Sequence, residues 1–198
     1  MKNRIEQKFK DLRKQNKKAF IAFITAGDPD LTTTRKLVLE LERCGVDIVE
    51  LGVPFSDPMA DGPAIQAASS RALKKGVNLA RILKLVSQIR KSSQIPLALM
   101  SYYNPIFRYG EERFIKDAGK SGVDGIIVPD LPAEEAKILV KAARKNRIAT
   151  IFFVTPTSTK ERIRLVSRLS TGFIYYVSLT GVTGIRKTLP ADILENIR

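Results

Sequence analysis

The sequence predicts an α/β protein, a (β/α)8 barrel that is incomplete, with about six parallel strands. Three observations predict it. Short β-branched and aromatic runs alternate with longer amphipathic stretches, the order expected of βα units on a parallel sheet. The strands are almost continuously apolar, as strands covered on both faces must be. Two junctions, CGVDIVELGVPFSDP at 44–58 and SGVDGIIVPDLP at 121–132, echo each other. In each, a Gly suits the left-handed position after a helix, an apolar strand follows, and a loop with Pro and Asp comes next.

The strands read, in order, as AFIAFIT (19–25), DIVELGV (47–53), PLALMSY (97–103), DGIIVPD (124–130), ATIFFVT (149–155) and FIYYVSL (173–179). Helical patterns fall between them at 32–44, 64–74, 78–92, 111–120, 133–145 and 159–169, and another begins near Pro190. Residues 1–198 are expected to form one domain. A complete barrel takes about 250 residues and eight strands. Two C-terminal βα units are therefore expected to be absent, leaving sheet edges open.

Composition narrows the function. The content of 44% hydrophobic residues is that of a globular chain. The single cysteine, Cys44, cannot form an internal disulfide and sits on a helical pattern where packing is its expected role. Residues 1–20 hold no apolar run of signal-peptide length, and no later stretch is long enough to span a bilayer, so a cytoplasmic protein with no membrane association is expected. The net charge of +14 favours anionic partners. The bases are spread at helical spacing, however, as at Lys137, Lys141, Arg144 and Lys145, without the interleaved aromatics of an RNA-binding stripe. Nucleic-acid binding is not expected.

In a barrel, ligands meet residues at the C-terminal strand ends and the loops beyond them. Those places hold Thr25 and Asp28, then Glu50, Ser56, Asp57 and Asp61, then Tyr102 and Asn104, then Asp130, and finally Tyr175, Ser178, Thr180 and Thr183. There is no histidine in the chain, and no strand interior carries a lysine. A Schiff-base lyase, a histidine-ligated zinc enzyme and a serine triad each lack an essential group. Proton transfer by carboxylates remains. Glu50, on an apolar strand, should have its pKa raised by desolvation, which suits a group that gives and takes protons near neutrality. Asp61, in a loop held by Pro54, Pro58, Gly62 and Pro63, could stay ionised and face a developing positive charge. An edge or rim position, or a structural salt bridge with a helix base, would be the plain alternative for Glu50, and turn formation the plain alternative for Asp57 and Asp61. SLTGVTGIRK (178–187) combines glycines, hydroxyls and bases, and suits a phosphate-holding loop or a mobile lid.

AFITAGDP (22–29), VELGVPFSDPMADGPAIQ (49–66), YYNPIF (102–107), GVDGIIVPDLP (122–132) and YYVSLTGVTG (175–184) stand in the order and spacing of one family. By these segments the chain resembles the tryptophan synthase alpha subunits over its whole length. The resemblance implies a TIM barrel that cleaves indole-3-glycerol phosphate to indole and glyceraldehyde 3-phosphate. It further implies a pyridoxal-phosphate-bearing beta subunit that receives the indole, in an α2β2 assembly, with no metal or cofactor on this chain. Position by position, Glu50 matches the family's catalytic glutamate and Asp61 its catalytic aspartate. Phe23, Met100, Tyr102, Phe153 and Tyr175 match indole-pocket positions. Thr183 matches a lid residue that reaches toward the aspartate, and Gly184 a phosphate contact. Most of the family's phosphate site comes from loops after strands 7 and 8, which this sequence lacks. An alternative keeps the fold but makes the chain a non-catalytic partner that activates the beta subunit.

Overall fold

The computed structural model describes residues 3–178. Five strands form one wholly parallel sheet in sequence order: β1 (Ile21–Thr25), β2 (Ile48–Gly52), β3 (Leu97–Met100), β4 (Gly125–Ile127) and β5 (Ala149–Ile151). β6 (Phe153–Val154) pairs in parallel with β7 (Tyr175–Tyr176). β5 and β6 are two halves of the single run expected at 149–155. The run breaks at Phe152, whose carbonyl accepts the Tyr175 N–H at 2.9 Å. One edge of the run serves β4 and the other serves β7, the stagger that curls a sheet toward a barrel.

Alternation along the strands separates two faces. Val49, Leu51, Leu97, Leu99 and Ile126 pack in a large cluster with residues of the surrounding helices. Ile48, Ala98, Ile127, Ala149 and Ile151 turn the other way and meet Ile5 in a second, smaller cluster. Between strands and around the sheet run α2 (Leu31–Arg43), α3 (Pro63–Lys74), α4 (Leu79–Ile89), α5 (Tyr103–Tyr109), α6 (Glu111–Ser121), α7 (Lys137–Asn146) and α8 (Lys160–Leu169). Asp30, Asn78 and Thr159 each accept a backbone N–H of the first turn they precede, which fixes where α2, α4 and α8 begin. Gly45 and Gly122 take the left-handed conformation expected of them, at φ +90° and +93°.

The helix α1 (Arg4–Lys14) was not expected, and it closes the N-terminal end of the strands. Ile5 is fully buried in the inner cluster, with Phe9 packed beside it. Gly125 makes room for it, since a Cβ there would stand 2.8 Å from Ile5 Cδ1. Two aspartates from the echoing junctions tie α1 down. Asp47 accepts the Phe20 N–H at 2.8 Å and Asp124 accepts the Leu97 N–H at 2.9 Å, each bonding to the backbone at the foot of the preceding strand. Lys8 pairs with Asp47 at 3.5 Å and Arg4 with Asp124 at 3.0 Å, one helical turn apart on α1. Arg90 completes this floor, pairing with Asp124 at 2.7 Å and donating to the carbonyls of Gly122 and Ile95.

Other expectations are corrected. The strand expected at 97–103 ends at Met100, because Tyr102 already caps α5, and the helix expected from 133 begins at Lys137. Cys44 is exposed at the C-cap of α2 and does not pack. The expected loop at 178–187, with Thr180, Thr183 and Gly184, lies beyond Ser178 and outside the described residues, as does the helix near Pro190.

Candidate active site

β2 is buried at all five positions, and Glu50 is its middle residue. Register places Glu50 between Phe23 of β1 and Ala98 of β3. Only 3% of its surface is exposed. Among the described residues it has neither a hydrogen bond nor an ion pair. An ionised carboxylate is poorly solvated in such a place, and burial pushes the Glu50 carboxyl up to about 7. Its nearness also raises the Tyr175 phenol, second to the effect of that phenol's own burial.

Asp61 ends the loop from β2 and precedes α3. It is half-buried, and burial raises its carboxyl from the ordinary range while a hydrogen bond from Tyr102 opposes the rise. That bond is 3.2 Å long, from the Tyr102 hydroxyl to Asp61 Oδ1. Burial thus opposes, and the Tyr102 hydrogen bond favours, the ionised Asp61 that the sequence allows.

Asp61, Phe23, Met100 and Tyr102 line one cavity at the C-terminal end of β1 to β3, together with Thr25, Gly52, Ile65 and Ser69. Its volume of about 20 Å³ holds about one water molecule. Glu50 lies one alternation below Gly52, beneath this cavity, on the same face of β2. Phe153 and Tyr175 do not line it. They pack on each other from β6 and β7, with ring centroids 4.9 Å apart. Thr25 was recognisable at the end of its strand, but Ile65 and Ser69 were missed. The signal was present in their four-residue spacing after Asp61, which turns one face of α3 toward the cavity.

Other described polar residues of the strand ends lie outside this cavity. Asp28 accepts two hydrogen bonds of 2.7 Å from Arg71, tying the loop after β1 to α3. Asp130 accepts the Tyr103 N–H at 2.8 Å at the start of α5. Ser56, Asp57 and Asn104 line a separate, open cleft of about 570 Å³ beside α4 and α5, and the Ser56 hydroxyl bonds Asp57. Met59 and Phe107, in the loop after β2 and on α5, are 75% and 64% exposed. No group of three metal-ligating side chains occurs among the described residues, and none of their helices is long and apolar enough to cross a membrane.

The chain is similar to known proteins. The family model for the tryptophan synthase alpha chain matches residues 9–198. The tryptophan synthase alpha chain of Geotalea uraniireducens is 55% identical over 196 residues, which cover 99% of this chain and 73% of that one. That of Caldanaerobacter subterraneus is 53% identical over 196 residues, 74% of its length. The crystal structure of tryptophan synthase subunit alpha from Legionella pneumophila superposes with a TM-score of 0.87 at 40% identity, covering 89% of this chain and 68% of that one. A chain of the tryptophan synthase complex from Pyrococcus furiosus gives a TM-score of 0.76 at 43% identity over 80% of this chain and 65% of that one. The parallel sheet, the helices around it and the coverage of about two thirds to three quarters of each relative describe an incomplete TIM barrel. The chain belongs to the tryptophan synthase alpha chain family, a family of lyases.

Proposed function

We propose that the chain carries out the retro-aldol cleavage of indole-3-glycerol phosphate, releasing indole and glyceraldehyde 3-phosphate, and hands the indole to a tryptophan synthase beta subunit. The observation that carries the reading is Glu50, a buried carboxyl with no hydrogen bond or ion pair among the described residues and a pKa near 7. A group so poised is protonated and deprotonated about equally at neutral pH. The protonated Glu50 gives its proton to indole C3, which makes the ring a cationic electron sink. Asp61 faces the positive charge that then appears at the indole nitrogen. Removal of the proton from the adjacent glycerol hydroxyl, by Glu50 or a neighbour, lets that oxygen form the aldehyde. The bond from C3 to the glycerol carbon breaks, and its electrons restore the aromatic ring. Proton and electrons balance without a metal or an organic cofactor on this chain.

Phe23, Met100 and Tyr102 supply the apolar walls for the indole at the cavity, and Phe153 and Tyr175 approach from β6 and β7. A bicyclic ring exceeds the volume open in this conformation, so the Phe23 ring or the Asp61 loop moves when substrate enters. Thr183 and Gly184 are proposed to reach Asp61 and the phosphate from beyond the described residues. The cleft lined by Phe55, Asp57, Asn104 and Arg108, with Met59 and Phe107 exposed in its neighbourhood, is the surface we assign to the beta subunit.

The test is product analysis. The chain is mixed with a beta subunit and indole-3-glycerol phosphate, and indole and glyceraldehyde 3-phosphate are measured together. Equal amounts of the two products, formed far more slowly by Asp61→Asn, support the reading. Absence of both products with the unaltered chain overturns it for this polypeptide.

A further inference from the structure

One side chain from β3 holds the loop that carries Asp61. Tyr102 follows β3 at the N-cap of α5 and is almost fully buried. Its ring lies 5.2 Å from that of Phe55, centroid to centroid. Its hydroxyl accepts the Ala60 N–H at 2.9 Å and donates to Asp61 Oδ1 at 3.2 Å. A single phenol therefore meets the loop at residues 55, 60 and 61. Among these contacts the bond to Asp61 has a direction. The hydroxyl's lone pair is engaged by Ala60, and its one proton is left for the carboxylate.

We propose that Tyr102 is the positioning residue for Asp61, fixing both the place of its carboxylate and its readiness to accept. The proposal rests on the role given to Asp61 above and deepens it. Tyr102 is more than a wall of the indole pocket, because it acts through the aspartate. Donation of the phenolic proton favours the ionised carboxylate, whereas the partly dry surroundings of Asp61 favour the neutral acid. Among the described residues Tyr102 is the titratable side chain that acts on Asp61, while Asp61 and Asp130 are the carboxylates that act on Tyr102. Losing the hydroxyl frees the loop at two points and lets burial dominate.

Tyr102→Phe keeps the ring against Phe55 and removes only the hydroxyl. Two readouts separate this proposal from the lyase reading itself. The first is the titration of the Asp61 carboxyl, followed by carbon NMR with labelled aspartate and assigned by Asp61→Asn. Tyr102→Phe is expected to move its midpoint upward. The second is single-turnover indole release with added beta subunit. There Tyr102→Phe is expected to lower the rate constant about ten- to a hundred-fold, the cost of misplacing a reacting group, with the half-saturating substrate concentration nearly unchanged. In an Asp61→Asn background the same substitution should have little further effect. An unmoved Asp61 midpoint overturns the proposal, and so does an equal loss of rate with and without Asp61. Should the unaltered chain release no indole, the lyase reading falls and the titration alone decides the positioning role. If Tyr102→Phe does not fold, Tyr102→3-fluorotyrosine serves instead. Its more acidic hydroxyl donates more strongly and is expected to move the Asp61 midpoint downward, and an unmoved midpoint again overturns the proposal.

Discussion

The ring of Phe23 lies against the α-carbon of Gly52, so close that a Cβ at position 52 would stand 2.5 Å from the ring's Cζ. The two residues sit on neighbouring strands, Phe23 one alternation below Thr25, the register partner of Gly52. Gly52 is therefore required by the ring that floors the candidate indole cavity, and its own backbone conformation is ordinary for a strand. Gly52→Ala forces Phe23 to shift. It is expected to cost about 1–3 kcal/mol of stability, the usual penalty of overpacking. Urea unfolding measures this, and a midpoint equal to that of the unaltered chain would show that Phe23 moves freely.

Glu50 gives the chain a pH-dependent stability. Its carboxyl titrates at about 7 in the folded chain against an ordinary 4.5. The folded state thus holds the proton more tightly than the unfolded state does. The stabilisation from that proton is fully present below about pH 4.5 and is lost as pH rises through 7. The difference amounts to about 3 kcal/mol at alkaline pH. Glu50→Gln, which is neutral throughout, should be more stable than the unaltered chain by about that amount at pH 8.5 and nearly equal to it at pH 4.5. Denaturant titrations at the two pH values decide the matter. A constant difference between them would mean that Glu50 is not desolvated as described.

The pair of Arg90 and Asp124 is buried, with 10% and 4% of the side chains exposed. Burial lowers the Arg90 guanidinium to about 10, although Asp124 works against the fall. Asp124→Ala leaves Arg90 charged and buried with backbone carbonyls but without the carboxylate it pairs with, and removes the acceptor for Arg4 and for the Leu97 N–H. A loss of about 3–5 kcal/mol is expected. Arg90→Met with Asp124→Asn, which removes both charges, should lose clearly less than Asp124→Ala. Thermal unfolding of the single and double variants is the check.

α1 contributes through Ile5. Ile5→Ala empties the space above Gly125 and Ala149 and is expected to cost about 2–5 kcal/mol. Retention of full stability in differential scanning calorimetry would mean that α1 merely rests on the sheet.

What the residues reveal unaided follows from which forces are local. The β2 segment with Glu50 was legible because one charge in a buried apolar run is costly, so its presence demands a reason. The alternation of strands and helices was legible for the same kind of cause, as were the glycines at 45 and 122. α1 was not. Its buried residues, Ile5 and Leu12, are scattered in a strongly basic stretch, and only the hole at the foot of the strands explains them. α5 was hidden because YYNPIF continues an apolar strand, and nothing local tells that Asp130 will bind the Tyr103 N–H. Glu50 and Asp61 were read as candidates from the sequence. Their separation was not: one lies beneath the cavity, and the other lines it under the hold of Tyr102.

The central claim is that Glu50 carries the proton. Single-turnover release of indole from indole-3-glycerol phosphate, with added beta subunit and across pH, tests it most directly. The account predicts a rate that follows an apparent pKa near 7, shifted only by bound substrate, and that is abolished by Glu50→Gln. Release by Glu50→Gln at the unaltered rate would contradict it, and the proton would have to come from elsewhere.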